Sequence, residues 1–364
     1  MQFQLPRPYP DPAAYEANLR AALESDPRRN ANYQRYLNAQ RAEDLDYLPI
    51  KLDIENVSRC NFRCTMCQVS DWGPTYQRAE DLSLEDFKRI LDEQYGLIEI
   101  MLQGIGEPLL GRDKFFEMVR YARSKDIWVR TASNGSLLHF NGNYKKLIDS
   151  GINEVLISID GATKQTFEKI RRGSKFELVV NNCKLLNNYC DHLGVLRTRM
   201  ATVLQKENVG EFLAFVDLAH EMGFPRVTFD RHLGMWGQEK WANINQKVSV
   251  EDQISLEAAQ EAIERGRSLG VEVTFWNSNR NYSARSPDRL CPWPFERSYI
   301  SSDMRVVPCC VMGTPEVIDL GDAHRLEEVW QGDTYKEFRR AHLEGRIPEP
   351  CQWCYENNPI NQSN

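Results

Sequence analysis

An α/β fold is what the sequence predicts, with a largely parallel sheet curled into a partial (β/α)6 barrel. Three observations carry that expectation. Between residues 51 and about 235, six short apolar, β-branched runs are each followed by a helix-patterned run. Connections of that kind join parallel strands through right-handed crossovers. After about residue 245 the texture changes to a smaller, cysteine-bearing segment, expected to be an α+β unit. The expected organisation is a helical extension over 1–50, the barrel over 51–280 and the small domain over 281–364.

The elements follow in order. In the extension, Asp11 as N-cap with Pro12 at the first helical position opens "AAYEANLRAALES", and "NANYQRYLNAQRAEDL" follows Asp26-Pro27. "IKLDIEN" is the first strand. Ser83-Leu84-Glu85-Asp86 resembles a capping box opening "LEDFKRILDEQY". "LIEIMLQ" is a strand, "RDKFFEMVRYARSK" a helix, "IWVRTAS" a strand, "YKKLIDSG" the end of a helix at Gly151, and "EVLISID" a strand. Helices are expected within 163–171 and 176–190, then the strand "VLRTRMATVL", the helix "EFLAFVDLAHEMG" and the strand "RVTFD". A helix in "EDQISLEAAQEAIERGRSLG" and a strand in "VEVTFW" lead to the C-terminal unit. In such folds the loops after the strand C-termini build the site.

Composition narrows the function classes. A net charge of −7 argues against a general attraction to nucleic acid. The first residues, "MQFQLPRPYPDP", lack the basic and apolar regions of a signal peptide, and no run of about 18 apolar residues is found that could span a membrane. A cytoplasmic protein is therefore expected, where clustered cysteines are more often metal ligands than disulfides. Of the ten cysteines, Cys60, Cys64 and Cys67 fall in "CNFRCTMC", directly after the first strand. A disulfide would leave one thiol over. Structural zinc takes four ligands, and no histidine lies within ten residues of the motif. A cubane cluster held by three thiolates leaves one iron open to a chelating partner.

These residues resemble the cluster loop of the radical S-adenosylmethionine superfamily, which implies a TIM-like partial barrel and a [4Fe-4S] cluster whose fourth iron is chelated by S-adenosylmethionine. Further segments over 51–235 support the resemblance. "QGIGEPLL" is similar to the family's Gly-Gly-Glu-Pro element, with Gly104, Gly106, Glu107 and Pro108 in place and Ile105 as the departure. The resemblance implies that the exposed backbone of this element, the glycines and Glu107 included, meets the cofactor's methionyl amino group, with further contacts from Met66 before the last cysteine and from Asn134 in "TASNG". It implies ribose contacts from Ser158 and Asp160 in "ISIDG", and a carboxylate-binding arginine at Arg171 or Arg172, with Arg171 preferred.

Cys291, Cys309, Cys351 and Cys354 form a second set, with Cys310 to spare. "CPWPFERSYISSDMRVVPCC" is expected to hold a hairpin with strands "RSYIS" and "RVVP", and "RLEEVWQGDTYKEFRRAHLEG" a helix. Four thiolates ending in C-x2-C suit structural zinc or an iron–sulfur cluster. The segment resembles the SPASM module in its shortened twitch form, which implies an auxiliary [4Fe-4S] cluster held by four cysteines. Met304 stands where that family has a glycine. Cys183 and Cys190, seven apart on one helix, are expected to be core thiols.

The resemblance implies reductive cleavage of S-adenosylmethionine to a 5′-deoxyadenosyl radical, which removes a substrate hydrogen atom, with the electron supplied by a flavodoxin or ferredoxin. The leading expectation is an oxidoreductase that converts a secondary alcohol of a sugar or aminocyclitol to a ketone. The small-molecule, carbohydrate-like substrate would lose its alcohol proton to a base at the sixth strand's end, where Asp230, Arg231 and His232 are the positional candidates and Asp230 and His232 the preferred ones. The alternatives are redox-neutral epimerisation with Cys310 as hydrogen donor, modification of a ribosomal peptide, and a non-catalytic electron-relay protein. Specificity is expected to lie at the barrel mouth, in the N-terminal helices and in "HLGMWGQEKW".

Overall fold

The structure, a computed structural model, describes residues 5–73, 75–250, 253–276 and 282–355. The expected boundary at 280/281 lies outside the described residues, as does the start of the segment "EDQ". The strands are β1 (Lys51–Ile54), β2 (Arg63–Cys64), β3 (Glu99–Leu102), β4 (Trp128–Ser133), β5 (Glu154–Ser158), β6 (Arg171–Arg172), β7 (Thr198–Val203), β8 (Arg226–Asp230), β9 (Glu272–Phe275), β10 (Arg297–Ile300), β11 (Arg305–Val307) and β12 (Gly321–Asp322). The helices are α1 (Pro12–Ser25), α2 (Pro27–Asn38), α3 (Leu84–Glu93), α4 (Asp113–Arg123), α5 (Asn143–Asp149), α6 (Lys164–Ile170), α7 (Phe176–Leu193), α8 (Phe212–Glu221), α9 (Glu239–Gln246), α10 (Leu256–Leu269), α11 (Trp293–Glu296), α12 (Leu326–Gln331) and α13 (Asp333–Leu343).

One open sheet runs β12-β11-β10-β1-β3-β4-β5-β7-β8-β9, and every pair from β10 through β1 to β9 is parallel. The six expected barrel strands form its centre. β9 adds a seventh parallel strand on one side, and the expected hairpin, β10 with β11, joins β1 on the other. The caps act as their chemistry dictates: Asp11 accepts the Ala14 amide at 2.8 Å, and Ser83 Oγ accepts that of Asp86 at 2.9 Å. The expected single helix after the hairpin is instead two, α12 and α13, interrupted at Gly332, whose extended backbone caps α13.

Period-two alternation separates two faces of the sheet. Ile100, Val129, Val155, Met200 and Val227 pack outward against Phe87, Phe115, Leu147, Leu186 and Phe215 of the covering helices. Cys183 and Cys190 belong to this core, as expected. The opposite parity lines the barrel, and at the strands' N-terminal ends it is charged. Glu99 is 3.2 Å from Lys51 and 3.5 Å from Arg130; Glu154 is 2.8 Å from Arg130, 3.0 Å from Arg199 and 3.5 Å from Arg226.

The extension closes this floor. Tyr15 on α1 donates to Glu99 at 3.0 Å, Arg199 donates to the Tyr9 carbonyl at 2.7 Å, and the Phe275 amide of edge strand β9 donates to the Pro6 carbonyl. The expectation that the N-terminal helices help set specificity is therefore not met. They seal the end opposite the strand C-termini, because their tyrosines complete a buried charge layer. A cavity of about 550 Å³ between α1 and the starts of β4, β5 and β8 also lies at this closed end.

Burial opposes the charge on Glu99, but Lys51, Arg130 and Arg297 overcome it and hold the carboxyl at about 2. A depressed carboxyl contributes stability above its unfolded value and loses it as pH falls towards its folded value. Acidification from about pH 5 to about pH 3 should therefore lower the urea midpoint of wild type more than that of Glu99→Gln, with a full contribution on the order of 3 kcal/mol.

Candidate functional site

The Cys60–Cys67 loop leaves β1 at the open end of the barrel. Its first anchor is the ladder of β2 with β6, which pairs Cys64 with Arg171. The Thr65 amide donates to the Ile170 carbonyl at 2.9 Å, and the Cys67 amide to the Cys64 carbonyl at 3.1 Å. All three cysteines are partly buried, and their thiols sense one another electrostatically. Burial, reinforced by Glu107, pushes Cys60 up to about 12, and burial also raises Cys64 and Cys67. Bound iron would reverse that preference by stabilising thiolates.

Gly106 lies where a Cβ would run into the Val57 and Arg59 backbone, and the Glu107 amide donates to the Arg59 carbonyl at 2.8 Å. The glycine-containing loop is thus pressed onto the chain that enters Cys60. Glu107, expected to contact the cofactor, has both oxygens engaged by its own chain. It accepts from Ser133 Oγ and the Asn134 amide at 2.7 Å each, and from the Leu109 amide at 3.3 Å. It acts as a buttress for β4. Asn134 Nδ2 donates to Asn61 Oδ1 at 2.9 Å and lies 3.8 Å from Cys60 Sγ.

Asp160, also expected to contact the cofactor, is likewise committed: it accepts the Val203 amide at 2.8 Å and pairs with Arg171 at 2.6 Å. Ser158, on β5 one position inside that turn, is only partly buried. Arg171 is buried and Arg172 exposed, which separates the two candidates. Burial disfavours the Arg171 guanidinium, yet Asp160, Cys64 and Cys60 together raise its pKa. Its Nε is buried with no hydrogen-bond partner among the described residues. A buried cation with a spare donor beside three thiols suits the carboxylate of a cluster-bound amino acid.

The second thiol set assembles from two separate segments. Electrostatic coupling links Cys291 with Cys309 and Cys354, Cys351 with Cys291, Cys309 and Cys354, and Cys354 with Cys309, while Cys310 is coupled to Asp53, Cys309 and Cys354. Burial raises all five thiols, Cys309 to about 11. Met304 takes the glycine position of the hairpin turn at φ +61°, with its side chain buried. Among the described residues no three Cys, His, Asp or Glu converge as a single ion requires.

Of the expected bases, Asp230 Oδ1 accepts the His232 amide at 2.8 Å. Both His232 ring nitrogens are buried and unpartnered among the described residues, and burial lowers the imidazole to about 4. It is neutral at pH 7 and a weak proton acceptor there.

Several site-shaping residues escaped the sequence reading. Glu55, wholly buried, accepts the Ile105 amide at 3.2 Å and the Ser302 amide at 3.1 Å, joining the glycine loop to the β10–β11 turn. Arg78 bridges Glu55 and Asp303. Ile105 packs on Gly313, just past the paired cysteines, so the departure between the glycines is a contact between the two thiol regions. Asp53, one turn of the pleat below Glu55, faces the lumen beside Tyr299, and burial raises it to about 7, Arg297 partly opposing. The signal was present: Lys51, Asp53 and Glu55 put a charge at every second position of a buried strand.

Comparison with known proteins identifies the class. Residues 56–219 match the Radical SAM superfamily, and residues 291–355 match the SPASM iron–sulfur cluster-binding domain. The chain carries a radical SAM domain and, C-terminal to it, a SPASM domain. These domains imply a [4Fe-4S] cluster that binds S-adenosylmethionine and auxiliary iron–sulfur ligation, and the two partly buried thiol sets fit both.

The chain is 30% identical over 215 residues to Fe-coproporphyrin III synthase of Methanosarcina barkeri, covering 58% of this chain and 50% of that one, so it spans about half the length of that relative. It is 23% identical over 317 residues to PqqA peptide cyclase of Methylorubrum populi, covering 84% of this chain and 77% of that one. In structure it is similar to Streptococcus suis SuiB bound to the precursor peptide SuiA, with a TM-score of 0.63 at 16% identity, covering 89% of this chain and 70% of that chain. These relatives are named for a porphyrin and for peptides, so the expected oxidation of a sugar or aminocyclitol gains no support from them. Among the described residues no helix is long and apolar enough to cross a membrane.

Proposed function

We propose that this radical SAM enzyme modifies a peptide, removing a hydrogen atom from one of its residues, with the barrel over 51–280 as the radical-generating unit and 281–364 as the auxiliary-cluster unit. The observation that carries the reading is similarity to a peptide cyclase through both units, over 84% of the chain. Cys60, Cys64 and Cys67 hold the first cluster, and Cys291, Cys309, Cys351 and Cys354 the auxiliary one. When bound and reduced, the first cluster with S-adenosylmethionine supplies a 5′-deoxyadenosyl radical. Arg171 holds the cofactor's carboxylate, Ser158 faces its ribose, and Glu107 and Asp160 fix the loops around it. Asp53 lies in the lumen beside Tyr299, suited to take a proton from substrate.

The test is to supply anaerobically reconstituted, reduced protein with S-adenosylmethionine and small peptides encoded beside its gene. Formation of 5′-deoxyadenosine that depends on peptide, together with a changed peptide mass, is expected. Turnover only with sugars or aminocyclitols would overturn the peptide reading.

Cys310, spare beside the four proposed ligands and electrostatically coupled to Asp53, keeps the hydrogen-return reading alive. In heavy water an epimerised product would carry one deuterium and Cys310→Ala would stop its formation. A product two mass units lighter, without deuterium at the reacting carbon, would instead mark net oxidation through the auxiliary cluster.

A further inference from the structure

Between β8 and α10 the chain makes an excursion that belongs to neither thiol segment and touches both. Trp236 Nε1 donates to the Met66 carbonyl at 3.0 Å, and Asn245 Nδ2 donates to the same carbonyl at 3.2 Å and to Gly234 O at 2.5 Å. Asn245 is completely buried. A peptide plane carries its carbonyl and the next amide on opposite sides. In the Met66–Cys67 peptide the carbonyl is held by these two donors, while the Cys67 amide is held by the Cys64 carbonyl at 3.1 Å. The peptide directly before the third thiol is thus fixed from both sides.

The excursion is itself anchored. Gln238 Nε2 donates to Gln68 Oε1 at 2.9 Å, and Gln68 Nε2 reaches the Met312 carbonyl at 3.4 Å, two residues after Cys310. Trp236 and Gly237 adopt left-handed backbone at φ +55° and +62°, and a Cβ on Gly237 would strike Val317 and press on Pro350. Only a residue without a side chain lets the strap lie this close to the auxiliary unit.

We infer that Trp236 and Asn245 are positioning residues for the first cluster: they orient the Met66–Cys67 peptide, and the strap that carries them is braced on the auxiliary unit. The inference rests on the assignment of Cys60, Cys64 and Cys67 to that cluster. Trp236→Phe keeps an aromatic ring and removes the donor, and Asn245→Leu keeps the branched shape and removes both bonds. Lys240→Ala, which breaks the exposed pair with Asp71 on the same strap, is the control.

The experiment uses the anaerobically reconstituted holoprotein and follows iron release to a chelator, with electron paramagnetic resonance of the reduced protein before and after S-adenosylmethionine. Each positioning variant should lose iron from the first cluster about five-fold faster than wild type and show a diminished cofactor-induced spectral change. Its four auxiliary irons should remain and Lys240→Ala should match wild type. First-cluster release at the wild-type rate in both variants would overturn the inference. So would equal loss from both thiol sets, which marks a general structural role. Failure of the wild type itself to hold a cofactor-responsive cluster would sink the assignment of the loop, and the positioning role with it.

Discussion

Replacing Cys60, Cys64 and Cys67 together with Ala should lower the iron content of reconstituted protein from about eight to about four per chain. It should also abolish formation of 5′-deoxyadenosine while leaving the fold intact. The thiols sit on a loop outside the sheet, and the ladder that anchors the loop uses the backbone of Cys64, not its sulfur. The second set is built on other segments, so its irons should persist. A stoichiometric zinc signal in place of the remaining iron would remove the auxiliary cluster and, with it, net oxidation through that cluster. Full iron content in the triple variant would show that these thiols are not the ligands.

Glu154→Ala is expected to be the most damaging single change to stability, by about 3–5 kcal/mol in urea unfolding. Glu154 is 1% exposed and meets Arg130, Arg199 and Arg226 at the barrel floor. Its own burial works against the charge, but the three guanidiniums outweigh that and hold the carboxyl below its ordinary value. Removing it leaves three cations packed together, with Arg199 retaining only hydroxyl and carbonyl acceptors. Glu154→Gln should cost less, because it keeps the volume and an acceptor oxygen. An alanine variant within about 1 kcal/mol of wild type would mean that water or α1 compensates the floor charges.

The placement of α1 explains why composition misled about the extension. Its polar, amphipathic pattern fits a helix on any surface. What fixes it at the closed end is Tyr15 meeting Glu99, across 84 residues of chain. Residues 41–48 then continue to the other unit: Arg41 donates to the Leu290 carbonyl at 2.7 Å, Tyr47 to the Phe295 carbonyl at 2.9 Å, and Trp330 to the Tyr47 carbonyl at 2.9 Å. The extension therefore ties barrel floor to auxiliary unit.

Local chemistry is written in neighbouring residues, and that is what the sequence by itself determined: the caps at Asp11 and Ser83, the alternation of strand and helix, the three-thiol spacing and the thiols of the second set. Each depends on groups a few residues apart, or on a period that a single strand or helix displays. Only the tertiary structure decided which charged groups would be spent on the fold. Glu107 and Asp160 were legible as candidates, yet their oxygens are taken by Ser133, Asn134, Val203 and Arg171, partners supplied by separate segments. The same holds for Asp53 and Glu55, whose facing follows from the parity of β1 and whose surroundings follow from the parallel pairing of β1 with β10, some 246 residues away. Burial and long-range pairing are properties of the packed sheet, and no run of adjacent residues encodes them.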